Sequence, residues 1–143
     1  MATAVWYGNG ALALAKGAID FDTDTFKVML TTNSYTPNQD THDFRDDVTN
    51  EITGTGYTAG GETLAGVSVT YDSASNEVRI LWTDTVWSGA SFTARNAVIY
   101  KSRGGASSAD ELVAYIPFGS DQTVTASTFT LDYTTSALKI TVA

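Results

Sequence analysis

The sequence predicts an all-β fold, an antiparallel β-sandwich for which a jelly-roll-like or barrel arrangement stays open, with one or two short helices in the N-terminal third. Three observations lead there. Charged residues make up only 17% and aromatics 11% of the chain, and threonine is frequent, a profile that suits pleated surfaces because β-branched and aromatic side chains pack well on them. Apolar residues alternate at period two in several short runs. Turns rich in Gly, Ser and Asp separate those runs at near-regular spacing, the signature of a sandwich or barrel. At 143 residues with 43% hydrophobic content, the chain has the length and apolar fraction of one domain, expected over 1–143, with no internal repeat and no linker.

Each element has its own justification. Trp6 to Gly10 reads as a turn, and Ala11 to Lys16 as a short helix closed by Gly17, with Leu12 and Ala15 on one face. Thr25 to Thr32 is a strand, since Phe26, Val28 and Leu30 alternate with Lys27, Met29 and Thr31. Pro37, with the turn formers Asn33, Asn38 and Asp40, makes a loop of the next segment. Phe44, Val48 and Ile52 then recur every four residues, which predicts a short amphipathic helix, with an irregular turn as the competing reading. Four glycines in Gly54 to Gly61 predict a long loop. Strands follow at Glu62 to Tyr71 and Glu77 to Trp82, paired as a hairpin through the DSASN turn, and then at Thr93 to Lys101, Glu111 to Phe118, Thr123 to Tyr133 and Leu138 to Val142. Arg103 to Asp110 reads as a second flexible loop.

Composition removes several function classes. Eight Lys and Arg against sixteen Asp and Glu leave a net charge of −8 and a pI near 4.3, which argues against binding to phosphate backbones, so no nucleic-acid partner is expected. Cysteine is absent, which excludes disulfides, thiolate metal sites and thiol nucleophiles. No apolar run approaches the roughly 18 residues of a spanning helix. Met1 to Lys16 also lacks the pattern of a signal peptide, so a soluble, unprocessed chain without a membrane partner is expected.

Few residues point to chemistry. His42 is the single histidine, but it sits in a polar loop and no G-x-S-x-G elbow accompanies it, so a structural role is favoured and no enzymatic activity is expected. Asp20, Asp22 and Asp24 alternate, and in an extended chain would project from one face, a weak calcium candidate. The EF-hand pattern fails, with Thr25 where Gly is needed and Thr31 where Glu is needed, and capping of a local turn is favoured over metal binding. No other cofactor is implied. Asp43, Asp46, Asp47 and Glu51 are weighed in the same way. A carboxylate pair for glycoside hydrolysis depends on a separation across a cleft that no spacing supplies. Among the aromatics, Trp6, Trp82, Trp87 and Tyr57 are weighed as core over sugar platform, and GTGYTAGG lacks the context of a phosphate loop.

Five segments, GAIDFDTDTFKVML, SYTPNQDTHDF, DDVTNEITGTGYTAGGETLAG, TARNAVIY and LVAYIPFGSDQ, span most of the chain, and in this order resemble a family of small virion structural proteins of tailed bacteriophages. The run ITGTGYTAGGETLAG, with its glycine placement, is the most specific of them. The resemblance implies a virion structural role without catalysis, as a head decoration, head-fibre or tail-associated protein. A decoration or cement protein on the outer surface of the head, touching the major capsid protein, is the leading expectation, and net negative charge suits the outside of a capsid better than its DNA-filled interior. Homotrimer formation would match local threefold axes. Val5, Trp6, Leu12 and Leu14 of the N-terminal segment, with Tyr57 of the glycine-rich loop, are the candidate contact residues. The alternative is a head-fibre, tail or receptor-binding module that stacks host-surface glycan on Tyr35, Tyr57 and Trp87, each beside turn residues that can leave a ring exposed.

Overall fold

The computed structural model describes residues 3–142, so Met1, Ala2 and Ala143 of the expected domain lie outside the described residues. Alternation at period two produces strands, and the strands form two antiparallel sheets. In chain order they are β1 (Val5–Trp6), β2 (Phe26–Thr31), β3 (Glu62–Thr63), β4 (Ser68–Asp72), β5 (Glu77–Leu81), β6 (Thr85–Lys101), β7 (Leu112–Leu131) and β8 (Leu138–Thr141), with a helix α1 (Gly8–Ala15) after β1. A five-stranded sheet has the order β1-β7-β6-β2-β3 and a three-stranded sheet the order β4-β5-β8. The all-β, sandwich-like expectation therefore holds. Among the described residues no helix is long and apolar enough to cross a membrane.

The main core lies between the sheets. Phe26, Val28 and Leu30 of β2 and Ala97 and Ile99 of β6 meet Ile80 of β5 and Leu138 of β8 there. The opposite face of the larger sheet is also covered, because Met29, Val98, Tyr100 and Leu112 pack against Tyr7 and Tyr35. Burial on both faces explains why Met29, on the polar side of the predicted alternation, is buried.

Four boundaries differ from expectation. Glu62 to Tyr71 is two strands, since β3 pairs with β2 whereas β4 pairs with β5, and the chain changes sheets between them through Gly66 at φ +63°. The segments at Thr93 and at Thr123 belong to one ribbon. β6 runs 17 residues and β7 runs 20, with pairing from Thr85↔Leu131 to Tyr100↔Leu112. Gly89 and Gly119, which read as turn residues, instead sit at positive φ inside these strands, beside register shifts that bend the ribbon. The predicted helix over Phe44 to Ile52 is only a 3₁₀ turn, Arg45–Asp47. Phe44 makes a β-bridge to Glu111, Glu51 makes one to Thr31, and Asn50 takes φ 57°, so tertiary pairing replaces helical hydrogen bonds. The four-residue spacing arises from a chain that sends Val48 to one cluster and Ile52 to the other.

Helix α1 begins earlier than predicted and ends where Gly17, at φ +78°, turns the chain. Its inner side is Gly10, Ala13 and Leu14, whereas Leu12 and Ala15 stay exposed. Gly10 allows close approach, for a Cβ there would lie 2.6 Å from the carbonyl oxygens of both Leu112 and Val113 on β7. Alanine is favoured over glycine inside a helix by about 1 kcal/mol. Gly10→Ala is nevertheless expected to destabilise the protein by about 1–3 kcal/mol, because rigid backbone must move. Chemical denaturation of the variant checks the sign.

Candidate functional site

Helix α1 stands at the edge of the sandwich with an open cleft on each flank. On one side a groove of about 520 Å³ runs between α1 and β8, walled by Trp6, Ala11, Leu14, Ala15 and Ile140. Its position follows from local structure. β1 is an edge strand, held to β7 at Val5↔Tyr115 and Trp6↔Ala114, and β8 is an edge strand of the smaller sheet. The Trp6 indole donates to the Lys139 carbonyl at 2.9 Å, which ties the two edges together and leaves an apolar channel beside the tie. On the other flank, Leu12, Ala13 and Lys16 face Phe44, Arg103 and Glu111 across a cleft of about 380 Å³.

The predicted contact residues thus fall together in part. Trp6 and Leu14 line the apolar groove, Leu12 is 49% exposed on the other flank, and Val5 is half-buried in β1. Tyr57 is elsewhere. Its hydroxyl donates to Glu51 Oε1 at 2.7 Å and accepts from the Leu30 amide at 3.0 Å, so it holds the glycine-rich loop onto β2. Burial, with the Glu51 carboxylate, pushes that hydroxyl far above the ordinary tyrosine value.

The glycan expectation fails for two of its three rings. Tyr35 is 3% and Trp87 1% exposed, so neither can present a face to a sugar. Trp87 packs with Tyr57, Phe92 and Phe129 in the main core, because Gly89 is a bulge within β6 and no surface turn. Tyr35 is folded under its loop against Tyr7 and His42.

The three aspartates lie in a local turn, the reading favoured over the calcium candidate. Residues 20–24 form a turn closed by the Asp24 amide on the Asp20 carbonyl at 2.9 Å, not the extended strand on which the calcium candidate was built. Asp20 Oδ1 accepts from the Asp22 amide, and Asp24 Oδ2 accepts from the Asp20 amide and pairs with Lys101 Nζ at 2.9 Å. Among the described residues no group of three or more His, Cys, Asp or Glu side chains could hold a metal ion.

Sequence reasoning missed an ionic cluster at the turn end of the β6–β7 ribbon. Arg103 grips Glu111 with two bonds of 2.7 Å, and buried Asp110 takes Arg45 Nε at 2.8 Å and the Arg103 amide at 2.8 Å. The Arg45 guanidinium lies over the Tyr100 ring at 5.0 Å, and burial pushes the Tyr100 hydroxyl up to about 12. The segment 103–110, expected to be flexible, is therefore tied at both ends. Its signal in the sequence was the opposite charge of Arg103 and Glu111 at the two ends of one loop, but Arg45, the partner of Asp110, lies far away in the chain.

These pairs make stability depend on pH with a definite sign. The Arg103 bond holds the Glu111 carboxyl below its usual 4.5. Partial burial works to raise Asp24, but the Lys101 ammonium and the Asp20 amide outweigh it and hold that carboxyl below its usual 3.8. Depressed carboxyl values stabilise the fold fully above the ordinary values, and that contribution fades as pH falls through the lower folded-state ones. Urea midpoints are therefore expected to drop between about pH 5 and pH 2, and Arg103→Gln is expected to make the drop shallower.

Comparison with protein-family models, with curated proteins and with solved structures finds no match for this chain.

Proposed function

We propose that this protein is a structural component of a tailed-phage virion, a decoration or cement protein that docks on the outer surface of the head and strengthens contacts between neighbouring copies of the major capsid protein. The observation that supports this reading is the apolar groove between α1 and β8. An aromatic and two aliphatic side chains, Trp6, Leu14 and Ile140, stand at an open sheet edge, where an aliphatic or aromatic anchor from a partner can be desolvated. The five segments that resemble phage virion proteins supply the class of assembly, and the groove supplies the means of attachment.

The rest of the reading follows from the same geometry and charge. A homotrimer at local threefold axes presents three such grooves to the shell. Net charge −8 keeps decorated heads from associating and favours the outer surface over the DNA-filled interior. No catalytic role is assigned, and no nucleic acid, membrane or cofactor takes part. With Tyr35 and Trp87 inside the fold, the head-fibre, tail or receptor module recognising glycan has only Tyr57 of its proposed rings near the surface, and that hydroxyl is already bonded.

Ala11 and Ala15 are exposed on the groove wall, so Ala11→Glu and Ala15→Glu place charge in it without removing core volume. Labelled protein is expected to co-sediment saturably with heads lacking it, at a stoichiometry set by capsid symmetry. Each glutamate variant is expected to bind at least about tenfold more weakly, the equivalent of about 1.4 kcal/mol, with its melting temperature unchanged. Binding to host cells and none to heads would overturn the decoration reading.

A further inference from the structure

We propose that the turn from Asn38 to His42 is a pH latch, held shut by the neutral His42 imidazole and opened when that ring takes up a proton. His42 Nδ1 lies 3.2 Å from the Asn38 backbone nitrogen and 2.9 Å from the Tyr35 hydroxyl. A backbone N–H can only donate, so Nδ1 is the acceptor and the ring proton sits on Nε2. Tyr35 then donates to Nδ1, and Tyr7, 2.8 Å from Tyr35, donates to the Tyr35 oxygen. The hydrogens run one way, towards the imidazole.

Protonation at Nδ1 breaks this arrangement. The Asn38 amide then faces another donor. If the hydroxyls reverse so that Tyr35 accepts from the ring, the Tyr7 hydrogen is left without an acceptor, and Tyr7 is fully buried, beyond the reach of water. A buried donor without a partner is costly, so the charged ring and the closed turn exclude each other. Imidazole is the side chain suited to such a switch in mildly acidic solution.

Three groups face His42, and a fourth lies behind Tyr7. Tyr7 follows β1, and its ring lies 6.4 Å from the imidazole; Tyr35 stacks on the imidazole at 5.6 Å. Tyr115 of β7 packs on Tyr7. Asp47 of the 3₁₀ turn is the charged neighbour, and its Oδ2 accepts from the amide of Asp43, the residue after His42. The Asp47 carboxylate is bonded to the Asp43 amide and offers no acceptor at Nδ1. The strain of the charged form therefore falls on the turn. Opening also frees α1, because the Gln39 carbonyl inside the turn holds the Gly8 amide at 2.9 Å. The latch concerns the turn itself and stands whether or not the groove docks on a capsid.

The test is NMR of the whole chain between about pH 8 and about pH 5. Imidazole nitrogen shifts are expected to show the Nε2–H tautomer at the upper end. After correction for intrinsic exchange, amide protection of Asn38 and Gly8 is expected to fall at least about tenfold in step with His42 titration, while Val98 in the core of β6 keeps its protection. His42→Asn places an uncharged acceptor oxygen where Nδ1 stands, and its turn is expected to remain protected at the lower pH. An Nδ1–H tautomer, protection that stays flat while His42 titrates, or the same loss in His42→Asn would each overturn the latch, and the first two are read on the native chain.

Discussion

Antiparallel pairing of β6 with β7 is the constraint to which the other elements are attached. One edge of the ribbon takes β2 from Phe26↔Lys101 to Thr31↔Asn96, and the other takes β1 at Val5↔Tyr115. Its far end feeds both the preceding β5 and the following β8, so the same two strands supply one sheet and deliver the chain to the second. Something must bend a ribbon this long so that it follows the core. The register shifts near Trp87, Ala90 and Ala94 do so, and they turn Trp87, Phe92 and Phe129 inward to extend the core past the end of β2.

At the turn end of the ribbon, charge does what apolar packing does elsewhere. Arg45, Lys101, Arg103, Asp24, Asp110 and Glu111 join three segments that are distant in sequence. Buried Asp110 accepts from Arg45 and from the Arg103 amide, so its desolvated carboxylate has partners on both oxygens, the condition under which a buried charge is tolerated. Helix α1 lies between this cluster and the edge of the second sheet. That position leaves both its flanks open and gives the molecule its apolar groove.

The Tyr7, Tyr35 and His42 chain is a different kind of joint. It lies under a loop with little apolar surface of its own, and hydrogen bonds from Tyr7 through Tyr35 to His42 hold that loop down. In the proposed latch this loop answers to protonation of His42.

Much of the fold class was legible because strand alternation is local. The β2 strand, the β4–β5 hairpin and the stop of α1 at Gly17 all follow from residues within a few positions of one another. The same locality explains the errors. Glycine at 89 and 119 signals positive φ, and sequence cannot say whether that φ closes a turn or bends a strand, since the difference lies in the partner strand. Phe44, Val48 and Ile52 have helical spacing, but bridges to Glu111 and Thr31 override it. Of the residues that line the groove, Trp6 and Leu14 were candidates from an apolar N-terminal segment, and Ile140 was not, because it comes from the other end of the chain. By itself, then, the sequence determined which segments extend and that nothing in it favours phosphate or thiol chemistry. Tertiary structure alone decided which rings are buried, which carboxylates meet cations and where an apolar edge stays open, because each of these depends on contacts between residues that the chain holds far apart.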